Sequence, residues 1–513
     1  MTLDLISTKT KVAQGVVWTS AANWGCQLLT FVVYTGLARL LNPHAFGLVA
    51  IAGVYIAFVQ VFVTQGFGMA IIQRSQVERE HLDSALWIAV VTASLFCLLS
   101  LLLGGQIARL FGEPRVAPVI KFLSFTLLFY ALSSVPTAIL TRELDFGALA
   151  IRSLLATVVS GAVGLVMAFR GWGVWSLVGQ QIVNAVLGCI FLWWAVPWRP
   201  SFRLSPRHLR DLYGFSLSIT GNDILWFFTQ KSDQTLVGYG FGPSGLGPYS
   251  LASKLTTLLA EGVIQPLQSV AFPVFSKIQS EPERFERALH KFCEMSSLVS
   301  FPIFAGIIAV APELVRSLFG AKWVAAIPIL QILAAYGILR SAFGFLHPLM
   351  LAKGRAGLYF LMFVIQSALT FAGCLVALQW STRAIALSTV VTMLVFEVFV
   401  LIVLMKIMEV RVEALLKTFG FPALSSASMM AVVMLLRGSI TKGLAPGISL
   451  AICVATGAAM YVLMALYIRH DLVMAVWEVI HESLSRFTRG SPNSGTGQVQ
   501  EYAATMTTDS SKD

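Results

Sequence analysis

The chain has 513 residues, 57% of them hydrophobic and only 12% charged, with a formal net charge of +11. Soluble proteins carry about 25% charged residues and stop enlarging one core near roughly 250–300 residues, so this much apolar surface excludes a water-soluble globular enzyme. The positive charge sits in short loops between apolar runs, which excludes a nucleic-acid-binding face and reads instead as a membrane topology signal.

In chain order, a polar N-terminus over 1–14 precedes the first long apolar run. That run has no short apolar core ending in a small-residue cleavage site, so the first helix is expected to be retained. A membrane-spanning helix needs about 20 mostly apolar residues. Fourteen candidates follow, near 15–38, 46–66, 84–104, 118–140, 153–169, 172–195, 212–238, 246–272, 295–318, 325–350, 356–378, 384–407, 420–437 and 446–468. The predicted fold class is therefore all-α: a polytopic membrane protein of about fourteen transmembrane helices.

The expected domain plan is a cytoplasmic N-terminus (1–14), an N-terminal six-helix bundle (15–195) and a basic cytoplasmic linker (196–211). A C-terminal six-helix bundle (212–407), two additional helices (420–468) and a cytoplasmic tail (469–513) complete it. The tail is read as an amphipathic surface helix from Asp471 to Phe487 followed by a polar disordered segment. With the N-terminus placed inside, Arg74, Arg142, Arg152, Arg199, Lys277, Lys353 and Lys417 fall in loops on the same side, and that side is the richer in Lys and Arg. This bias predicts both termini in the cytoplasm.

The segment Asn42-Pro43-His44-Ala45-Phe46-Gly47 is echoed by Gly242-Pro243-Ser244-Gly245-Leu246-Gly247. Six candidate helices separate the two copies. An even number per repeat preserves orientation, which predicts two parallel six-helix halves related by an axis along the membrane normal, with the last two helices outside the duplication.

Polar residues inside the bilayer are costly and face a cavity or a partner. At helical spacing, Ser20, Asn23, Gln27, Thr30 and Tyr34 share one face of the first helix. Asn222, Thr229 and Asp233 share a face of the seventh, with Asp223, Gln230 and Gln234 beside them, whereas Lys231 points away from that stripe. Lys254, Thr257, Glu261, Gln265 and Gln268 align on the eighth helix, and Tyr336, Arg340 and His347 on the tenth. Interhelical hydrogen bonding accounts equally well for the Ser, Thr and Asn positions. The charged positions favour a polar cavity between the halves, with Asn23, Gln27, Asn222, Asp223, Gln230, Asp233, Lys254, Glu261 and Arg340 as substrate-cavity candidates. Lys and Arg suit an anionic ligand such as a pyrophosphate headgroup. Asp233 and Glu261 are the candidates to take up a coupling proton or sodium ion. Lys121 and Glu397 lie nearer to predicted helix ends, where they can snorkel or pair elsewhere.

No catalytic or metal residues are assigned. The chain has no GxxxxGK[ST] phosphate loop and no HExxH pair, and its seven histidines are scattered. The six cysteines form no CxxC pair and read as small core hydrophobes. Every loop is too short to carry a catalytic domain. No resident cofactor is expected.

Five stretches resemble Wzx-type polysaccharide flippases: Gly36 to Ala50 (GLARLLNPHAFGLVA), Gln65 to Arg74 (QGFGMAIIQR), Thr141 to Phe146 (TRELDF), Lys231 to Gly238 (KSDQTLVG) and Gly245 to Lys254 (GLGPYSLASK). The chain is similar over about residues 10 to 470 to the exopolysaccharide, colanic-acid-like branch of the multidrug/oligosaccharidyl-lipid/polysaccharide exporter superfamily. The resemblance implies two six-helix bundles in a V plus two C-terminal helices. It implies alternating-access movement of an undecaprenyl-pyrophosphate-linked oligosaccharide across the bacterial inner membrane, for exopolysaccharide, capsule or O-antigen assembly. Periplasmic polymerase and chain-length or export proteins are the implied pathway partners, with membrane lipids around the helices and no nucleic acid. The alternatives are a cation-coupled multidrug or small-molecule antiporter of the same superfamily and a non-transporting membrane scaffold.

Overall fold

The computed structural model describes residues 24–64, 66–279, 281–408, 412–439 and 443–468. The expected N-terminal segment 1–14, Asn23 and the tail 469–513 with its amphipathic stretch lie outside the described residues. All described regular structure is helical, as a bilayer demands of a chain that must satisfy its own backbone polar groups.

The order is α1 (24–40), α2 (Pro43–Thr64), α3 (Phe67–Gln73), α4 (Arg79–Leu110), α5 (Val116–Leu123), α6 (Phe125–Arg142), α7 (Phe146–Phe169), α8 (Val174–Ala195) and α9 (Pro206–Lys277). Then come α10 (Pro282–Leu318), a 3-10 turn (Ala321–Trp323), α11 (Ala326–Phe343), α12 (Leu346–Ala352), α13 (Ala356–Ala377), α14 (Thr382–Met408), α15 (Val412–Thr418), α16 (Gly420–Ser439) and α17 (Pro446–Ile468). Among the described residues, eleven helical stretches are long and apolar enough to cross a membrane, each overlapping one predicted segment. The other three predicted segments overlap α1 and the two limbs of α9, which are not among these eleven. Large apolar side chains such as Leu98, Leu102, Phe169, Trp194 and Leu435 stand exposed, as lipid-facing positions require. This is a multi-pass membrane protein.

Local chemistry explains the boundaries. Asn42 accepts a hydrogen bond from the Ala45 backbone N–H at 2.9 Å, with Pro43 opening α2. The limbs of α9 meet at Gly242, whose φ of 60° and ψ of −165° belong to a region that L side chains avoid. Asp145 caps α7 through the Ala148 N–H, so this helix starts at Phe146 rather than 153. Arg152 therefore lies within α7, not in a loop as predicted, and its guanidinium packs against Gly188. The run expected over 325–350 breaks after Phe343, and Gln268 donates to the Gly344 carbonyl at 3.0 Å.

One end of the molecule carries Asn42, Gly242 and Trp323; the other carries Arg142. At the Arg142 end, Arg142 donates to the Ile71, Arg74 and Ser75 carbonyls, and Arg74 pairs with Asp211 at 3.1 Å. Glu78, His81 and His208 also gather there. The His81 Nδ1 accepts the Glu78 backbone N–H, and His208 Nε2 lies 3.1 Å from a Glu78 carboxylate oxygen, so the group ties the start of α9 to that of α4.

At the Asn42 end the first half meets the second. Arg39 donates to the Leu318 carbonyl at 2.8 Å and also bonds the Ser317 carbonyl. In return, Lys322 donates to the Arg39 carbonyl at 2.6 Å and the fully buried Trp323 to the Ala38 carbonyl at 2.8 Å. The last carbonyls of α1 and α10, which have no partner within their own helices, are thus satisfied across the seam. Phe46 packs edge-on against both Tyr34 and Trp323.

Candidate functional site

Behind that closed end lies a cavity of about 760 Å³ between the two halves. Its size is that of a pocket for a substantial small-molecule moiety. Thr30, Tyr34, Tyr130, Ser160, Gln181 and Asn184 represent the wall supplied by α1, α6, α7 and α8. The opposite wall comes from α9, α11, α13 and α14.

The structure brings together Gln230, Asp233, Lys254, Glu261 and Arg340 on this lining, with Thr257 and Gln265 between them. Gln27 is not on the lining but donates to Glu261 at 3.1 Å, joining α1 to the second limb of α9. Asn222, on the angular face of Asp233, and Asp223, beside that face, are half-buried and absent from the cavity lining. Lys231 was expected to point away. It lines the cavity, with Nζ 3.2 Å from the Gln234 side-chain oxygen. Gln268 is spent on Gly344, and His347 belongs to α12, beyond the break in the predicted tenth helix.

The charges are unevenly satisfied. Asp233 accepts from the Tyr249 hydroxyl at 2.7 Å and from the Gln234 backbone N–H at 2.7 Å. Glu261 is held by Gln27. Lys254 and Arg340 form no ion pair among the described residues, although both face the cavity. Acids with hydrogen-bond partners, beside two cations with no ion pair among the described residues, leave a wall that attracts an anion. Sequence reasoning missed Tyr130, Gln180, Gln181 and Asn184. The signal was present as Leu177, Gln180, Gln181 and Asn184, a spacing that puts all four on one face of α8.

The polysaccharide biosynthesis protein family matches residues 36–328, more than half of the chain. The chain belongs to this family. Among its relatives, the succinoglycan biosynthesis transport protein ExoT of Rhizobium meliloti (strain 1021) is 27% identical over 360 residues, covering 70% of this chain and 73% of that protein. The lipopolysaccharide biosynthesis protein WzxC of Escherichia coli (strain K12) is 26% identical over 358 residues, covering 69% and 73%. In architecture the family member described here is similar to the lipid II flippase MurJ in an inward closed conformation. The TM-score is 0.72 at 14% identity, over 89% of this chain and 99% of that one. It is also similar to an inward-facing multidrug resistance MATE family transporter of the MOP superfamily, with a TM-score of 0.60 at 15% identity over 76% and 96%. These two likenesses show that the fold is the one shared by such transporters.

Proposed function

We propose that this protein is a flippase for lipid-linked oligosaccharide, a transporter rather than an enzyme. In this reading it moves an undecaprenyl-pyrophosphate-linked repeat unit from the cytoplasmic to the periplasmic leaflet of a bacterial inner membrane by alternating access. The observation that carries the reading is two cations, Lys254 and Arg340, with no ion pair among the described residues, on the wall of a cavity between two halves of a transporter fold. A pyrophosphate is the anion such a wall suits, since a guanidinium offers a planar fork and an ammonium a point charge. Family membership and the transport and lipopolysaccharide roles in the relatives' names support the same cargo class. The concentration of Arg74, Arg142, Arg203, Arg207 and Lys353 at the Arg142 end supports placing that end in the cytoplasm. Periplasmic polymerase and chain-length proteins are the partners this role calls for.

The test is deletion of the gene followed by lipid extraction. The expected result is a complete oligosaccharide repeat unit on undecaprenyl pyrophosphate, trapped on the cytoplasmic face. Intact polymer export without such accumulation, in a strain holding no second flippase, would move the assignment to a small-molecule antiporter.

A further inference from the structure

The two walls of the cavity differ in kind. All five charged residues described on the lining, Lys231, Asp233, Lys254, Glu261 and Arg340, belong to α9 and α11. Among the described residues, the facing wall is polar without a single charge. It presents Tyr130 of α6, Thr157 and Ser160 of α7, and Gln180, Gln181 and Asn184 of α8. Bilayer-depth amides normally serve as glue between helices. These do so only once: Asn184 donates to the Ser160 hydroxyl at 3.2 Å. Gln180 and Gln181 make no side-chain hydrogen bond among the described residues, and Gln181 and Asn184 are exposed to the cavity. An amide both donates and accepts, as does each hydroxyl of a sugar, and neither is charged.

From this asymmetry we infer that the α7–α8 wall is a carbohydrate-binding surface. It takes the neutral, hydroxyl-rich part of the cargo while the α9–α11 wall takes the phosphates. The inference rests on the flippase reading and deepens it: discrimination between oligosaccharides resides in the first half, and affinity for the lipid phosphates in the second. A net gain of about one hydrogen bond between these two amides and the sugar hydroxyls should contribute roughly three- to tenfold in preference.

The experiment measures binding of two probes to the protein in lipid nanodiscs by native mass spectrometry. One probe is bare undecaprenyl pyrophosphate. The other is the same lipid bearing a neutral trisaccharide. The wild type is expected to prefer the glycosylated lipid. The double variant Gln181→Leu/Asn184→Leu should lose roughly three- to tenfold of that preference while holding the bare lipid as before. Arg340→Ala should weaken both probes alike. Should the double variant fail to fold, Gln181→Met alone, a length-matched change on a cavity-facing side chain, should shift the preference in the same direction by less. An unchanged preference, or equal loss of both probes in the amide variants, overturns the carbohydrate wall and leaves the flippase reading standing. If the wild type binds neither probe, the phosphate-binding wall of the flippase reading fails, and this inference falls with it.

Discussion

Gly47 of α2 lies against the backbone of Pro243 so closely that a β-carbon added to it would fall 1.9 Å from the Pro243 carbonyl oxygen. The relation is reciprocal: a β-carbon on Gly247 would meet the Pro43 carbonyl oxygen at 2.0 Å. Each proline starts its helical limb, and each glycine stands four residues on. The sequence echo is therefore the contact itself, the crossing point of two helices from the two halves. Backbone cannot yield as a side chain can, so Gly47→Ala or Gly247→Ala must push the helices apart. Overpacking of this kind costs typically about 1–3 kcal/mol. Each variant should lower the thermal midpoint in detergent by several degrees. Gly105→Ala, with no neighbouring atom within 4 Å of the added carbon, should leave it unchanged or slightly higher. Equal midpoints for all three variants would mean that the crossing is not tight.

Lys254 and Arg340 are the cations on which the cargo assignment turns. Removing either should cut oligosaccharide export by at least tenfold, because a hydrogen bond to a charged group is worth about 1.5–3 kcal/mol. Protein level in the membrane should stay normal, since neither side chain holds an ion pair within the bundle among the described residues. The readout is surface polysaccharide per unit of membrane-inserted protein. Normal export in both variants would sink the anionic-cavity reading.

Asp233 is the better placed of the two acids to couple transport to an ion. It lies on the cavity lining, and its hydrogen bonds leave lone pairs open on both oxygens. Asp233→Asn retains the shape and the Tyr249 contact but not the ability to exchange a proton or hold a cation. Transport by proteoliposomes should then lose most of its response to an imposed pH or sodium gradient. A variant that responds to both gradients as the wild type does would remove Asp233 from the coupling step.

How far the sequence revealed this site depended on what kind of information each residue needed. Angular position was legible, because 100° per residue follows from helix geometry alone. Lys254, Thr257, Glu261 and Gln265 accordingly appear together on the cavity wall. Depth was not legible. Asn222 occupies the right face of α9 and Asp223 lies beside it, yet neither is on the cavity lining, and the same angular logic misplaced Lys231, whose long side chain reaches Gln234. Breaks inside apolar runs were also hidden: nothing local distinguishes Gly344 from other helical glycines, and its carbonyl is satisfied by Gln268, 76 positions upstream. The amides of α8 were overlooked for a chemical reason, since neutral polar residues at helical spacing are as expected of interhelical glue as of a binding wall.

Reciprocal helix caps close the Asn42 end. Trp323 is fully buried and gives its indole N–H, the only donor of its side chain, to the Ala38 carbonyl. Trp323→Phe keeps most of the apolar contact with Phe46 but deletes that donor, and leaving the carbonyl unsatisfied costs about 1–3 kcal/mol in the closed arrangement only. The open arrangement at this end should gain population by roughly five- to a hundredfold relative to the wild type. Spin labels on α1 and α10 near Leu40 and Ser317 would report it as growth of a longer-distance population. No change in that distribution would show that the Trp323 bond does not hold the end shut.

Glu397 presents the opposite case, a polar group with nothing to hold. It is 1% exposed, and neither carboxyl oxygen has a hydrogen-bond partner among the described residues. Its neighbours along α14, Phe396 and Val400, belong to the apolar core of the second half. The predicted snorkelling cannot occur, since α14 runs from Thr382 to Met408 and places Glu397 inside it. Replacing a buried, unsatisfied acid by an apolar side chain of similar volume is commonly neutral or stabilising. Glu397→Met should therefore raise stability by about 1–2 kcal/mol, seen as a thermal midpoint a few degrees above wild type. A fall in the midpoint instead would mean that the carboxyl is satisfied in the membrane by a partner such as an ordered water, and that the core was built around it.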